Sequence, residues 1–155
     1  MKNETKVERK SDREVVVTRI VNGPPRLVYD AWTKSELFTR WWVPKSFPIK
    51  LLSHEADVRV GGSYRLVFAA GEQTMAFFGK YLEVVPGSRL KWTNDEGGEA
   101  VAAITTVTFE ERDGKTLLTM SDLHPTKEAL DASGATDATA ESWDQLEEVL
   151  SSLPQ

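Results

Sequence analysis

The side chains of this chain able to move a proton in an apolar setting are few: His54, His124, Asp122 and Glu55. General acid–base chemistry needs such a group on the inward face of a pocket, held in place by a second group. His54 alternates with Leu52, Ala56 and Val58, which puts it on the apolar face of a strand. His124 stands just before Pro125, at the junction between a strand and the C-terminal segment, and Asp122 is its nearest carboxylate in sequence. Side chains two apart share a face only if the strand runs on through Leu123, and Pro125 works against that continuation. Neither histidine is therefore expected to form a base–orienter pair facing a pocket, and no residue is assigned a catalytic role.

Other chemistries are excluded by residue type. The absence of cysteine removes disulfides, thiol nucleophiles, iron–sulfur clusters and cysteine-ligated zinc. The two histidines lack the close spacing of a metal pair, so no metal is expected. There is no G-x-S-x-G elbow. Gly61-Gly62 and Gly97-Gly98 lie between strands rather than before a helix, so they read as turns and not as phosphate cradles. No cofactor is expected.

What remains is aromatic. Trp32, Trp41, Trp42, Tyr64, Phe68, Phe77, Tyr81, Trp92 and Trp143 are many rings for a chain of 155 residues. Two explanations stand side by side: the rings fill a small core, or some of them line a small-molecule cavity, where polar-tipped aromatics supply an apolar wall with occasional hydrogen bonds. The choice between Phe77 and Phe78 stays open, because both faces of their strand carry apolar residues.

The elements that must position these residues follow from periodicity. A first strand, Glu14 to Val21, stops at Asn22-Gly23-Pro24-Pro25. Pro25 suits the first turn of a helix, where a missing N–H costs nothing, and Leu27, Val28, Ala31 and Trp32 recur at helical spacing. A second short helix, about Ser35 to Arg40, presents Leu37, Phe38 and Trp41 and is stopped by Pro44. Leu52 to Val60 alternates as a half-buried strand and turns at Gly61-Gly62 into Ser63–Phe68. Further strands are expected over Thr74–Val84, Ser88–Thr93, Ala100–Glu110 and Thr116–Leu123, with turns at Pro86-Gly87, over residues 94–99 and at Asp113-Gly114. Strands this closely spaced leave no room for crossover helices, so the sheet is antiparallel. The tail, Thr126 to Ser152, switches to helical period with a stripe of Trp143, Leu146 and Leu150. Gly134 inside it marks a weak point or a close approach to the sheet.

Composition bounds the rest. The length and the 40% hydrophobic content suit one domain with a true core, expected over residues 12–153 behind a flexible polar tail at 1–11. A net charge of -5 leaves no electrostatic footprint for nucleic acid, and no such partner is expected. No apolar window is long enough for a signal peptide or a membrane span, which makes the cytoplasm the expected compartment and excludes a membrane partner.

The ordered succession of short motifs carries a resemblance. These are Val15-Val16-Val17-Thr18-Arg19, Gly23-Pro24-Pro25-Arg26-Leu27-Val28-Tyr29-Asp30-Ala31-Trp32-Thr33, Leu37-Phe38-Thr39-Arg40-Trp41-Trp42-Val43-Pro44 and Asp57-Val58-Arg59-Val60-Gly61-Gly62-Ser63-Tyr64-Arg65. Phe78 to Thr93, Val107-Thr108-Phe109-Glu110, Gly114 to Thr119, Pro125 to Ala129 and Ala140 to Leu146 continue it. Over about Arg13 to Leu153 the chain resembles the START-like superfamily (polyketide cyclase/START/Bet-v-one-like, SRPBCC). Its nearest branch is homologous to the C-terminal domain of the activator of the 90-kDa heat-shock-protein ATPase.

The resemblance implies an α+β helix-grip fold. A curved antiparallel sheet of about seven strands would wrap a long C-terminal helix, with two short helices after the first strand. It also implies an apolar cavity between sheet and helix, and places Trp41, Tyr64, Phe77, Trp92 and Trp143 nearest to it. With Trp42, His54 and His124 these are the candidate cavity residues. The family has no universal catalytic residue to carry over, and the eukaryotic activator also uses a separate N-terminal domain. Where the family often has a glycine one turn before the tail's aromatic, this chain has Ala138 and Thr139, which implies tighter helix–sheet packing.

The expected function is binding of a small apolar or amphipathic molecule, in a carrier, sensor or stress-related role. A cofactor-independent cyclase or hydrolase using a pocket histidine is the alternative. A chaperone-interacting or regulatory protein, with a protein partner, is the third. The expected assembly is a monomer or a homodimer.

Overall fold

The computed structural model describes residues 5–43, 45–46, 49–94, 103–128, 130 and 135–153. Eight strands form one antiparallel sheet: β1 (Lys6–Arg9), β2 (Glu14–Val21), β3 (Lys50–Ala56), β4 (Ser63–Ala70), β5 (Gln73–Val85), β6 (Arg89–Asn94), β7 (Ala103–Arg112) and β8 (Lys115–Leu123). Their spatial order is β1-β2-β8-β7-β6-β5-β4-β3. Helices α1 (Pro25–Thr33) and α2 (Ser35–Phe38) carry the chain from β2 to the far edge of the sheet, and α3 (Ala135–Ser151) follows β8. This is the expected helix-grip arrangement.

Local chemistry explains the elements. In β2 every second side chain is buried, including Val15, Val17 and Val21, as one-sided packing requires. Helix α1 starts with Pro24 extended and Pro25 in its first turn, and it buries Leu27, Val28, Ala31 and Trp32. It ends where Lys34 returns to an extended conformation. In α3, Trp143, Leu146 and Leu150 are all but inaccessible and belong to the same core as Val17, Leu90, Val107 and Leu118 of the sheet. Arg19 of β2 is buried as well. Its guanidinium donates to Asp144 Oδ1 at 2.8 Å and to Glu147 Oε2, which ties α3 to the sheet by charge as well as by packing.

The structure departs from the sequence reading in several local features. Residues 6–9, assigned to a flexible polar tail, pair with β2 from Lys6↔Thr18 to Arg9↔Val15. All four side chains are exposed, so this edge strand is held by its backbone ladder, and no hydrophobic alternation announces it. It raises the strand number from about seven to eight. The strand expected from Leu52 to Val60 is β3, shifted to Lys50–Ala56 and broken by an irregularity between Leu51 and Ser53. The extra residue turns Leu52 outward, 51% exposed, while Leu51 packs on the core; Leu52 and His54 do not share a face. Val58 and Val60 lie beyond the strand, in a turn whose Gly61 N–H donates to the Tyr81 carbonyl at 2.9 Å. The second short helix ends at Phe38 rather than Arg40, and a turn through Trp41 follows it.

The expectations for Pro44, for the Gly97-Gly98 turn and the start of its strand at Ala100, and for Gly134 lie outside the described residues. Of the tail helix expected from Thr126, one turn closed by Leu130 N–H to the Thr126 carbonyl precedes α3. No described helix is long and apolar enough to cross a membrane.

Candidate functional site

A cavity of about 520 Å³ lies between the inner face of the sheet and α3, with Trp32, Phe38, Trp41, Trp42, Val43 and Ile49 along its side. Trp41, Trp42, His54, Tyr64, Phe77, Trp92, His124 and Trp143 all border it. The structure thus brings the sequence-derived candidates together on one surface. They do not contribute alike. Trp41 and Trp143 are fully buried, and the Trp41 indole N–H donates to the Ala31 carbonyl at 3.0 Å. Trp32, one of the rings left between core and cavity and not among the candidate cavity residues, is the hub of the aromatic wall, with ring centres 4.8 Å from Trp41, 5.9 Å from Trp42 and 6.1 Å from Trp92.

Register decides the face of β5. Phe77 sits opposite Leu66, a buried inner-face residue, and its ring lies 5.2 Å from Phe68; Phe78 sits opposite Arg65 and points away. Two strands along, Tyr64 donates its hydroxyl to the Thr93 carbonyl at 2.7 Å, across Gly79. A Cβ on Gly79 would lie 1.8 Å from that same carbonyl oxygen, so glycine there is what lets β6 close against Tyr64.

The histidines differ in their support. His54 stacks on Phe38 at 4.3 Å, and its Nδ1 is 2.8 Å from Ser35 Oγ, which also reaches the His54 carbonyl. The single Ser35 hydroxyl proton serves one of these two acceptors, so when it goes to the carbonyl Nδ1 is the donor to Oγ, and when it goes to Nδ1 the ring accepts. Burial pushes the His54 pKa below its ordinary value. The orienting partner is therefore a serine, not a carboxylate. His124 borders the cavity too, yet its Nε2 is buried without a hydrogen-bond partner among the described residues.

Sequence reasoning named Asp122 only as the carboxylate nearest His124, and it missed Thr105 and Asn94 beside it on the wall. Asp122 lies deep among protein atoms but keeps accessible surface, because the cavity opens onto it. Burial raises its pKa, against the opposing influence of the Thr105 hydroxyl and His124. Asn94 Nδ2 donates to Thr105 Oγ1 at 3.1 Å, and Thr105 Oγ1 donates to Asp122 Oδ1 at 2.6 Å. Asp122 and His124 share the wall, and His124 acts on the carboxyl through space; among the described residues no hydrogen bond or ion pair joins the two. The signal for Thr105 and Asn94 is weak in sequence, because they meet Asp122 only through the pairing of β6, β7 and β8. Among the described residues no group of three or more His, Asp or Glu side chains converges as a metal site would require.

Comparison with known proteins agrees with this architecture. A solved structure from Rhodobacter sphaeroides superposes with a TM-score of 0.87 at 21% identity, covering 97% of this chain and all of that one (100%). One from Nitrosomonas europaea gives 0.80 at 24% identity over 92% of this chain and 97% of that one. One from Chromobacterium violaceum gives 0.74 at 30% identity over 88% and 96%. No curated protein matches the sequence significantly. The family profile described as Activator of Hsp90 ATPase homolog 1-like protein matches residues 22–151, which spans α1, α2, every strand from β3 to β8 and α3. With helix-grip topology and profile in agreement over most of its length, the chain belongs to the Activator of Hsp90 ATPase homolog 1-like family, within the START-like superfamily.

Proposed function

We propose that this domain binds a small, largely apolar molecule in the cavity between the sheet and α3, as a carrier or sensor rather than as an enzyme. The observation that carries the reading is unfilled space among rings. About 520 Å³ of partly enclosed space lies beside Trp32, Trp42, Phe77 and Trp92, concave and walled mainly by apolar rings as small-molecule sites are. The size falls within the roughly 300–1,000 Å³ range of small-molecule sites. Catalysis is ranked below binding because His54 is held by Ser35, and among the described residues no carboxylate hydrogen-bonds to either histidine ring.

Native mass spectrometry of the protein purified without denaturation would be expected to show a small bound mass. Titration with the neutral dye Nile red should saturate at one molecule per chain. Ala103→Phe, which places a ring in the cavity from β7, is expected to weaken dye binding at least about tenfold, or ~1.4 kcal/mol, while the thermal transition stays cooperative. Undiminished dye binding in that variant would remove the cavity from the function.

The family's name supports a second reading, contact with a chaperone ATPase. Leu52 on β3 and Phe78 and Leu82 on β5 are large apolar side chains at 51%, 44% and 41% exposure, as a docking face would need. Stimulation of such an ATPase by the wild type, lost in Phe78→Ser but kept in Ala103→Phe, would favour contact over cavity binding.

A further inference from the structure

The cavity wall has one side chain that ordinary packing does not account for. Trp32, Phe38, Phe77 and Trp92 make it apolar, yet Asp122 opens onto it from β8. A carboxylate removed from water is costly unless a positive charge or several hydrogen bonds replace its hydration. Here one hydroxyl, that of Thr105, donates to Oδ1. Among the described residues no lysine or arginine borders the cavity. Arg19 is buried nearby in the fold but is engaged by Asp144 and Glu147 on α3. His124 is the single basic side chain on the same part of the wall, and no ion pair joins it to Asp122.

Register shows what surrounds the carboxylate. Tyr81 pairs with Trp92, Trp92 with Thr105, Thr105 with Asp122, and Asp122 with Val15. These residues form one continuous row across five neighbouring strands, so Trp92 lies two strands from Asp122, about 10 Å at ~4.8 Å per strand. A molecule touching both would span one bicyclic ring and a short side chain. Rings also favour a cation, through the negative face of the π-system.

Resting on the reading that the cavity binds a small molecule, we infer that its ligand carries a basic nitrogen: an aromatic or otherwise apolar amine whose ammonium group pairs with Asp122 while its body lies against Trp92. The ammonium supplies a countercharge that no lysine or arginine of the described wall provides and that His124 exerts only through space, and it donates to the carboxylate oxygen that Thr105 does not engage. A fatty acid or other anion would meet an acidic wall with no lysine or arginine to receive it. A neutral alcohol would gain a hydrogen bond without relieving the charge.

Three probes of nearly equal shape separate these cases: naphthylethylamine, naphthylethanol and naphthylacetate, titrated into the intact chain by calorimetry at neutral pH. The amine is expected to bind at least about tenfold more tightly than the alcohol, or ~1.4 kcal/mol, and the acetate more weakly than either. In Asp122→Asn, with folding verified by its thermal transition, the amine-to-alcohol ratio should fall to within about threefold. Equal or tighter binding of the alcohol or the acetate by the wild type would overturn the inference and leave the cavity reading intact. So would an amine preference that survives Asp122→Asn. If none of the three probes binds and Nile red is also refused, the cavity reading falls and takes this inference with it.

Discussion

Trp143→Ala tests how the long helix is held and how much the cavity beside it matters. The indole is 1% exposed, packed in the core shared by α3 and the sheet, and borders the cavity. Burying a ring of this kind removes roughly 150–250 Å² from water, and at about 25 cal/mol per Å² that is a transfer contribution of ~4–6 kcal/mol. Truncations of Phe or Trp to Ala in cores cost about 3–5 kcal/mol, the transfer loss being combined with the energy of the hole left behind. The hole left by Trp143 joins an existing opening rather than forming a sealed void, so water can enter it and the cavity contribution shrinks. The expected loss is therefore near the lower end, about 3 kcal/mol. For a domain of this length that lowers Tm by ~6–12 °C. Leu150→Ala serves as the reference, since Leu150 is fully buried and does not border the cavity. It should cost about 2–5 kcal/mol, a larger loss for each atom removed than at Trp143. Urea denaturation followed by far-UV circular dichroism reads both. A Trp143→Ala loss under about 1 kcal/mol at unchanged m-value would refute the packing argument. A loss per atom equal to that at Leu150 would refute the claim that the two sites differ in access to open space.

Charge and titration supply two further tests. Arg19→Met leaves Asp144 and Glu147 without their shared buried partner and should cost about 3–5 kcal/mol, most of it recovered when Asp144→Asn and Glu147→Gln are added; failure to recover would mean that the arginine stem, not the charge, matters. The Asp122 carboxyl has its pKa raised in the folded protein, chiefly by burial, so the folded state binds this proton more tightly than the unfolded chain does. That contribution to stability is complete below the ordinary carboxylate pKa and is lost as pH rises through the elevated folded value. Asp122→Asn keeps an acceptor for Thr105 and carries no charge, so its stability relative to wild type should grow over that rise in thermal melts across pH. A difference that stays constant with pH would mean that the carboxyl is not titrating in a buried site.

Much of the fold is legible along the chain because it rests on local period. The buried alternation of Val15, Val17 and Val21, the start of α1 at Pro25 and the stripe of Trp143, Leu146 and Leu150 each follow from neighbours in sequence. The rings of the cavity wall are legible as types for the same reason, since tryptophan and tyrosine at this density must bury against one another or around something.

Other features are fixed only by pairing. Strand β1 has no apolar side to advertise it, and the irregularity at Leu52 reverses a face that strict alternation would assign the other way. Phe77 faces the cavity rather than Phe78 because Leu66 lies opposite it on β4. The site depends most on this level. Trp92, Thr105 and Asp122 are far apart in sequence and become neighbours only when β6, β7 and β8 align in one register. Sequence sets which side chains alternate and how often; register sets which of them meet, because a single-residue slip moves a whole strand's inward set to its outer face. That is why the apolar wall can be read from composition and period, while the placement of one carboxylate within it had to come from the folded sheet.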